Sequence, residues 1–279
     1  RDLVRSRGLG DVYKRQIYNG LFCFDFASLR VASVSGRIGL AWMFAALLYM
    51  YCKVRTRAVF AAVVLIGYSL LMYLVVAPDA PDGTDPLSVA GNIAGWVDRQ
   101  WLPGTFVYES FDPEGLLSTL PAIVSALFGM FTGEFLLRKR SSLSGKRIAL
   151  CMALAAVAIT VIGIIWNCWI PINKKLWSSS FTCVVTGYSL GLFALFYYLI
   201  DVRGWKRWTF FFRVIGLNSI TIYLAQRIVG FGGIANFFFG GAASHCPEAI
   251  ARVISNAGYV AICWLFLYFL YRKSTFLKV

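Results

Sequence analysis

The sequence predicts an all-α fold, a polytopic bundle of transmembrane helices with about seven spans, on three observations. Hydrophobic residues make up 59% of the chain, charged ones only 14%, and mean hydropathy is +0.68. That composition lies well outside the range of soluble domains. Apolar runs near the ~20 residues that a helix needs to cross a bilayer recur along the chain. The runs are apolar on every side, whereas the strands of a membrane barrel would show short alternating segments. One membrane domain is therefore expected, covering residues 17–279.

The first sixteen residues stand apart from it. R-D-L-V-R-S-R-G-L-G-D-V-Y-K-R-Q has no initiating Met and shares no character with residues 17–279. A targeting segment would carry an apolar core and a small-residue cleavage site after its basic residues, and neither is there. Asp11-Val12-Tyr13-Lys14-Arg15-Gln16 resembles one translated frame of the transposon-end adapter used in sequencing libraries. Residues 1–16 are therefore expected to be adapter-derived and non-native, with native sequence extending upstream of Ile17.

Spans are predicted at about 36–51, 58–76, 116–137, 148–170, 180–200, 210–230 and 253–271. The first contains Arg37 and ends ahead of a short basic loop with Lys53, Arg55 and Arg57. The second runs into a long acidic stretch holding Asp79, Asp82, Asp85, Asp98, Glu109, Asp112 and Glu114. The third opens behind Asp112-Pro113-Glu114-Gly115 and closes on Arg138, Lys139 and Arg140, with Lys146 and Arg147 leading the fourth. Arg203, Lys206 and Arg207 separate the fifth from the sixth, and Arg272, Lys273 and Lys278 come after the last. The positive-inside rule places these basic segments and the C-terminus in the cytoplasm, and residues 17–33, 77–115 and 231–252 outside. An integral protein of a bacterial inner membrane is the expected location. Trp96, Trp101, Trp166, Trp169, Trp177, Trp205 and Trp208 fall near span ends, as an aromatic belt would. The Gly- and Phe-rich stretch 232–243 reads as a re-entrant or interfacial turn. Residues 78–85 are the one linker-like segment, too short to divide domains.

The net charge of +14 does not indicate nucleic acid. The basic residues sit in short loops between spans, where orientation and anionic head groups account for them. Seven cysteines show no C-x-x-C pair and mostly fall within spans, so they read as small apolar core residues, with no metal site. No P-loop, G-x-G-x-x-G or H-E-x-x-H occurs. The sole histidine, His245, lies in a late loop and reads as solvated.

Several polar positions remain that membrane insertion alone does not explain. Arg37 lies inside an apolar span, where an ionisable side chain marks either function or a structural ion pair. Asp112 and Glu114 precede the third span; they cap its free N–H groups or orient a reacting group. Asn173, Lys174, Trp177 and Ser178 make a polar and aromatic cluster ahead of the fifth span. Trp177 suits either a sugar face or an interfacial anchor. Asn218 and Ser219 fall mid-span, where such side chains commonly hydrogen-bond neighbouring helices. Glu134 and Asp201 lie near span ends, solvated or paired with arginine.

Four strings together resemble one family. Asp112-Pro113-Glu114-Gly115-Leu116-Leu117-Ser118 opens a membrane helix. Leu29-Arg30-Val31-Ala32-Ser33-Val34-Ser35-Gly36-Arg37-Ile38 precedes it. Asn173-Lys174-Lys175-Leu176-Trp177-Ser178-Ser179-Ser180 and then Asp201-Val202-Arg203-Gly204-Trp205 with Gly216-Leu217-Asn218-Ser219 come after it. In this order they resemble the heparan-alpha-glucosaminide N-acetyltransferase family of polytopic membrane acyltransferases. The resemblance implies transfer of an acetyl group from acetyl-CoA on the cytoplasmic side to an amine or hydroxyl of a saccharide outside, without a metal. It also implies a catalytic histidine upstream of the Arg30–Arg37 segment, so the chain as given is expected to be an inactive C-terminal portion. Arg30, Arg37, Asn218 and Ser219 become candidates for the acetyl-CoA side. Asp112, Glu114, Asn173, Lys174, Trp177 and Ser178 become candidates for the saccharide side. Expected partners are membrane lipids and the saccharide acceptor, with self-association left open. A carrier of a glycan or lipid-linked intermediate is the competing reading; paired broken helices would favour it, and the sequence displays none.

Overall fold

The computed structural model describes residues 32–104, 106–108 and 110–276. Arg30 and the 1–16 segment lie outside them. The chain forms two compact units, residues 1–204 and 205–279. The described residues are helical, with isolated bridges at Val76–Asn92 and Tyr108–Phe111 and no named strand.

The first unit holds α1 (Val34–Tyr51), α2 (Val54–Leu74), a short α3 (Ile93–Trp101), α4 (Thr119–Lys139), α5 (Gly145–Trp166) and α6 (Ser179–Tyr197). A π-helical turn, Tyr198–Val202, extends α6. The long helices alternate in direction, so the starts of α1, α4 and α6 share one end of the bundle. The end of α1, the start of α2 and the end of α4 share the other. Ser33 starts α1 by accepting from the Gly36 N–H at 3.0 Å, and Ser178 starts α6 by accepting from the Phe181 N–H at 3.3 Å. Each long helix is buried along a stripe only, and side chains such as Leu74, Leu150 and Leu154 are exposed on the outer face. That is the pattern of helices in lipid, where association rests on close packing rather than on hydrophobic burial. The core accordingly contains Ala41, Ala45, Ala61 and Ala122 beside Leu65, Val124 and Leu127. The α5–α6 hairpin is tightest: a Cβ at Gly187 would lie 2.1 Å from Thr160 Oγ1.

Residues 75–118 are folded onto this bundle rather than serving as a linker. The Ala77 N–H donates to Gly91 O at 2.8 Å, and the Arg99 guanidinium grips Asp79 through Nε at 3.0 Å and Nη2 at 2.8 Å.

The second unit holds α7 (Thr209–Leu217), α8 (Ser219–Ile228), α9 (Phe231–Ser244) and α10 (Glu248–Arg272). It departs from expectation in two places. The predicted span 210–230 is not one helix; it breaks at Asn218 (φ −130°, ψ 29°). Asparagine favours such breaks because its side chain competes with the backbone for hydrogen bonds. The stretch 232–243, expected as a re-entrant or interfacial turn, is helical as α9 and bent by 83° from α8, which corrects the turn and leaves the re-entrant alternative standing. Among the described residues six helices are long and apolar enough to cross a bilayer, or seven if the bent pair counts as one. This single bent pair is a broken span or a re-entrant loop and does not make the paired broken helices of a carrier. The long helices of the first unit run without a comparable break.

Among the described cysteines only Cys183 and Cys263 are buried, while Cys151 and Cys168 are exposed. The reading of most as core residues is corrected accordingly: Cys151 lies on the outer face of α5 and Cys168 in the turn after it, so an apolar stretch is not a buried one.

Candidate functional site

Polar side chains gather at two ends of the first unit. At the end shared by the starts of α1, α4 and α6, Arg37 is 5% exposed. Its Nη2 donates to the Pro113 carbonyl and to Ser118 Oγ, and its guanidinium lies 4.7 Å from the centre of the Trp177 ring. One side chain on α1 thereby joins two of the motifs, 112–118 and 173–178. Glu114, Asp112 and Asp98 act on it electrostatically, so the buried cation sits among carboxylates. Its Nε and the Trp177 Nε1 are buried without a hydrogen-bond partner among the described residues.

The 112–118 turn is held from inside and from outside. Asp112, 2% exposed, accepts from the Glu114 N–H at 2.9 Å and from the Val107 N–H at 3.2 Å. The expectation that Asp112 and Glu114 cap the helix behind them needs revision, because α4 starts only at Thr119 and Ser118 makes no side-chain cap. Asp112 caps the turn upstream of that helix instead. Outside support comes from Asp98 on α3, which is 1% exposed. It accepts from the Leu116 N–H at 2.9 Å and from the Asp112 N–H. Gly115 is what lets it approach: a Cβ there would lie 1.9 Å from Asp98 Oδ2. The glycine of the acidic motif thus serves packing against a residue on a different helix.

The 173–178 turn is built with equal economy. Ser178 Oγ accepts from the Asn173 N–H at 3.0 Å and donates to Pro171 O at 2.9 Å. Asn173 Oδ1 accepts from the Lys175 N–H at 2.9 Å. Tyr68 on α2 donates its hydroxyl to Leu176 O at 2.6 Å, and Ser179 Oγ donates to Leu65 O at 2.7 Å. Trp177 takes φ +52°, a left-handed conformation that costs a bulky residue about 1–3 kcal/mol. The surrounding bonds hold it there and lay its ring over Arg37. Lys174 is exposed, and Lys175 stacks on Tyr108 at 4.4 Å.

The structure therefore brings Arg37, Asp112, Glu114, Asn173, Trp177 and Ser178 to one end of one unit. It also adds two residues that sequence reasoning misses. In the sequence Asp98 is one acid among several in a loop, and Tyr68 one aromatic in a span. Neither has a local signal, because each acts on backbone far away along the chain. Asn218 and Ser219 belong to the second unit. Asn218 is buried at the α7–α8 break, its Oδ1 accepting from Thr221 Oγ1 at 3.3 Å and its Nδ2 without a partner among the described residues, while Ser219 is exposed. His245 is exposed and its Nδ1 lies 2.7 Å from Gly241 O.

Burial pushes the Asp98 carboxyl up from its ordinary 3.8 to about 6, and the nearby Asp112 charge adds to the rise. The Leu116 and Asp112 N–H groups and Arg37 oppose it. Such a displaced carboxyl in a buried polar cluster is what a functional site would show. Folded Asp98 keeps its proton to higher pH than the unfolded chain does. Its favourable contribution is thus complete below about pH 4 and lost as pH rises through 6. Asp98→Asn is expected to remove a fall in the thermal unfolding midpoint between about pH 4 and 6, measured in detergent. An identical slope in both proteins would assign the effect to other groups.

At the opposite end, Arg57 Nη2 pairs with Glu134 Oε2 at 3.0 Å, both nearly buried, and Glu134 also pairs with the exposed Arg138. Arg57 stacks on Tyr49 at 4.6 Å. Counted from sequence among loop charges, Arg57 is instead inside the first turn of α2.

Fold and site together define an integral membrane protein, a polytopic helical bundle with a buried charged cluster at one end. No protein-family model matches the chain. It is 28% identical over 211 residues to the heparan-alpha-glucosaminide N-acetyltransferases of Mus musculus and Homo sapiens, covering 68% of this chain and 30% of each relative. The chain is a distant relative of these enzymes and spans about a third of their length.

Proposed function

We propose that the protein is an acyl-CoA-dependent membrane acyltransferase. It moves an acetyl group from acetyl-CoA on the cytoplasmic side to an amine or hydroxyl of a saccharide outside, in a bacterial inner membrane with the C-terminus cytoplasmic. Kinship to two N-acetyltransferases is the observation that carries the reading. The acceptor's lone pair attacks the thioester carbonyl, the new C–N or C–O bond forms and the C–S bond breaks; a base takes the acceptor's proton and returns it to the departing thiolate, which leaves as the free thiol. A base of suitable strength is required for that proton. In this chain Trp177 offers its ring to a sugar face, while Asp112, Glu114, Asn173, Lys174 and Ser178 supply hydrogen-bonding groups around it. Arg37 fixes the two turns that carry them.

The test is transfer of radiolabelled acetyl from acetyl-CoA to glucosamine across vesicles. The vesicles would contain the full chain as the only added protein. Labelled N-acetyl or O-acetyl product on the side opposite the donor is expected. Passage of unmodified sugar through the same vesicles, with no acetylation, would sink the enzyme reading in favour of a carrier.

A further inference from the structure

The α4–α5 hairpin carries a feature that acyl transfer does not use. Between the two helices lies an open apolar groove of about 220 Å³, walled by Phe131, Phe135, Cys151, Met152, Ala155 and Ile159. α5 packs chiefly against α6 and touches α4 only lightly, so the groove is left by diverging helices. It continues toward α6 as a second groove of about 350 Å³ that shares Phe128, Thr132, Thr186 and Leu190 with the first. Thr132 does not make the groove polar, because its hydroxyl is spent on Phe128 O at 2.9 Å. The lining residues nearest the turn between the helices are Phe135 on α4 and Cys151 on α5. There Arg138, Lys139, Arg140, Lys146 and Arg147 are all exposed. Glu134 is the only acid between residues 119 and 166, and Arg57 and Arg138 already engage it. Lys139, Arg140, Lys146 and Arg147 therefore have no acidic partner on either helix. Arg147 stands one turn from Cys151, and Lys139 one turn from Phe135, so the cations crown the groove wall itself.

An apolar slot with a cationic crown matches one amphiphile. We propose that the α4–α5 groove binds a single anionic phospholipid, its acyl chain between Phe135 and Ala155 and its phosphate at Lys139, Arg140, Lys146 and Arg147. A zwitterionic lipid carries the same tail but no net charge for the cations of the crown. Basic pockets between membrane helices bind anionic head groups for this reason. Cys151 and Ala155 are exposed, so a tail reaches the groove from outside, while Phe131, Phe135 and Ile159 are half-buried and Met152 forms its buried floor.

Native mass spectrometry of the full chain in detergent, titrated with phosphatidylglycerol and with phosphatidylcholine, tests the site. Tighter binding of the anionic lipid at one saturable site is expected. Lys146→Gln with Arg147→Gln should weaken that preference about fivefold per charge removed, on the scale of a cation near a head-group surface. Ala155→Phe should displace both lipids alike by filling the slot, and because Ala155 is exposed the unfolding midpoint should stay unchanged. Equal binding of the two lipids, or a preference untouched by either variant, would overturn the site and leave annular lipid only. Displacement of the bound lipid by a soluble nucleotide diphosphate at comparable concentration would overturn it too, assigning the cations to a free phosphate compound.

Discussion

Arg37→Ala is expected to lower the stability of the first unit by about 3–5 kcal/mol. The guanidinium holds the Pro113 carbonyl and Ser118 Oγ while Trp177 covers its face. Its removal leaves those acceptors unfilled and leaves Asp98, Asp112 and Glu114 without the cation that balances them. An unsatisfied buried acceptor costs about 1–3 kcal/mol, and an uncompensated buried charge more. Arg37→Lys keeps the charge but not the planar fork or the stacking, so it should recover part of the loss. Thermal unfolding in detergent orders the three proteins. Fluorescence of Trp177 against a Trp177→Phe background reports whether the ring leaves its place. A midpoint unchanged in Arg37→Ala would mean that the two turns hold without it.

Glu134→Ala should destabilise the opposite end by a similar amount, about 3–5 kcal/mol, because it strands Arg57 as an unpaired buried cation. Arg57 already has Nε and Nη1 without partners among the described residues, and the Tyr49 and Phe131 rings at 4.6 and 5.6 Å only partly compensate. Arg138→Ala removes the exposed partner of the same carboxylate and should cost no more than about 1 kcal/mol. The double variant Arg57→Met with Glu134→Met removes both buried charges and is expected to recover most of the loss, as apolar replacements of buried pairs do. Unfolding midpoints of these variants and the parent protein form the check. A Glu134→Ala protein as stable as Arg138→Ala would show that the pair is solvated.

The helices and their order are legible because membrane insertion writes itself in local composition. Val34–Tyr51, Gly145–Trp166 and Ser179–Tyr197 fall within a few residues of the predicted spans, since about twenty apolar residues in lipid have no alternative to a helix. The departures share a cause. Residues 210–230 are as apolar as any span, yet one helix ends and another starts at Asn218, a break that an apolar average does not register. The glycines of 232–243 suggest a turn, but the stretch is helical and is anchored by buried Phe231, Ala235 and Ala243. Asp112 resembles a helix start from its neighbours along the chain, while the true start lies at Thr119.

What the sequence by itself determined is the class of molecule, the spans of the first unit and the motifs that draw attention to 112–118 and 173–178. Each depends on residues within a turn or two of one another, where composition and spacing carry the physics. Only the tertiary structure decided that Arg37 joins those two motifs, that Asp98 reaches Leu116 past Gly115, and that Arg57 is buried against Glu134. Those contacts span 76, 18 and 77 positions of chain. They are chosen by which helix faces pack, and a linear pattern holds no record of that choice.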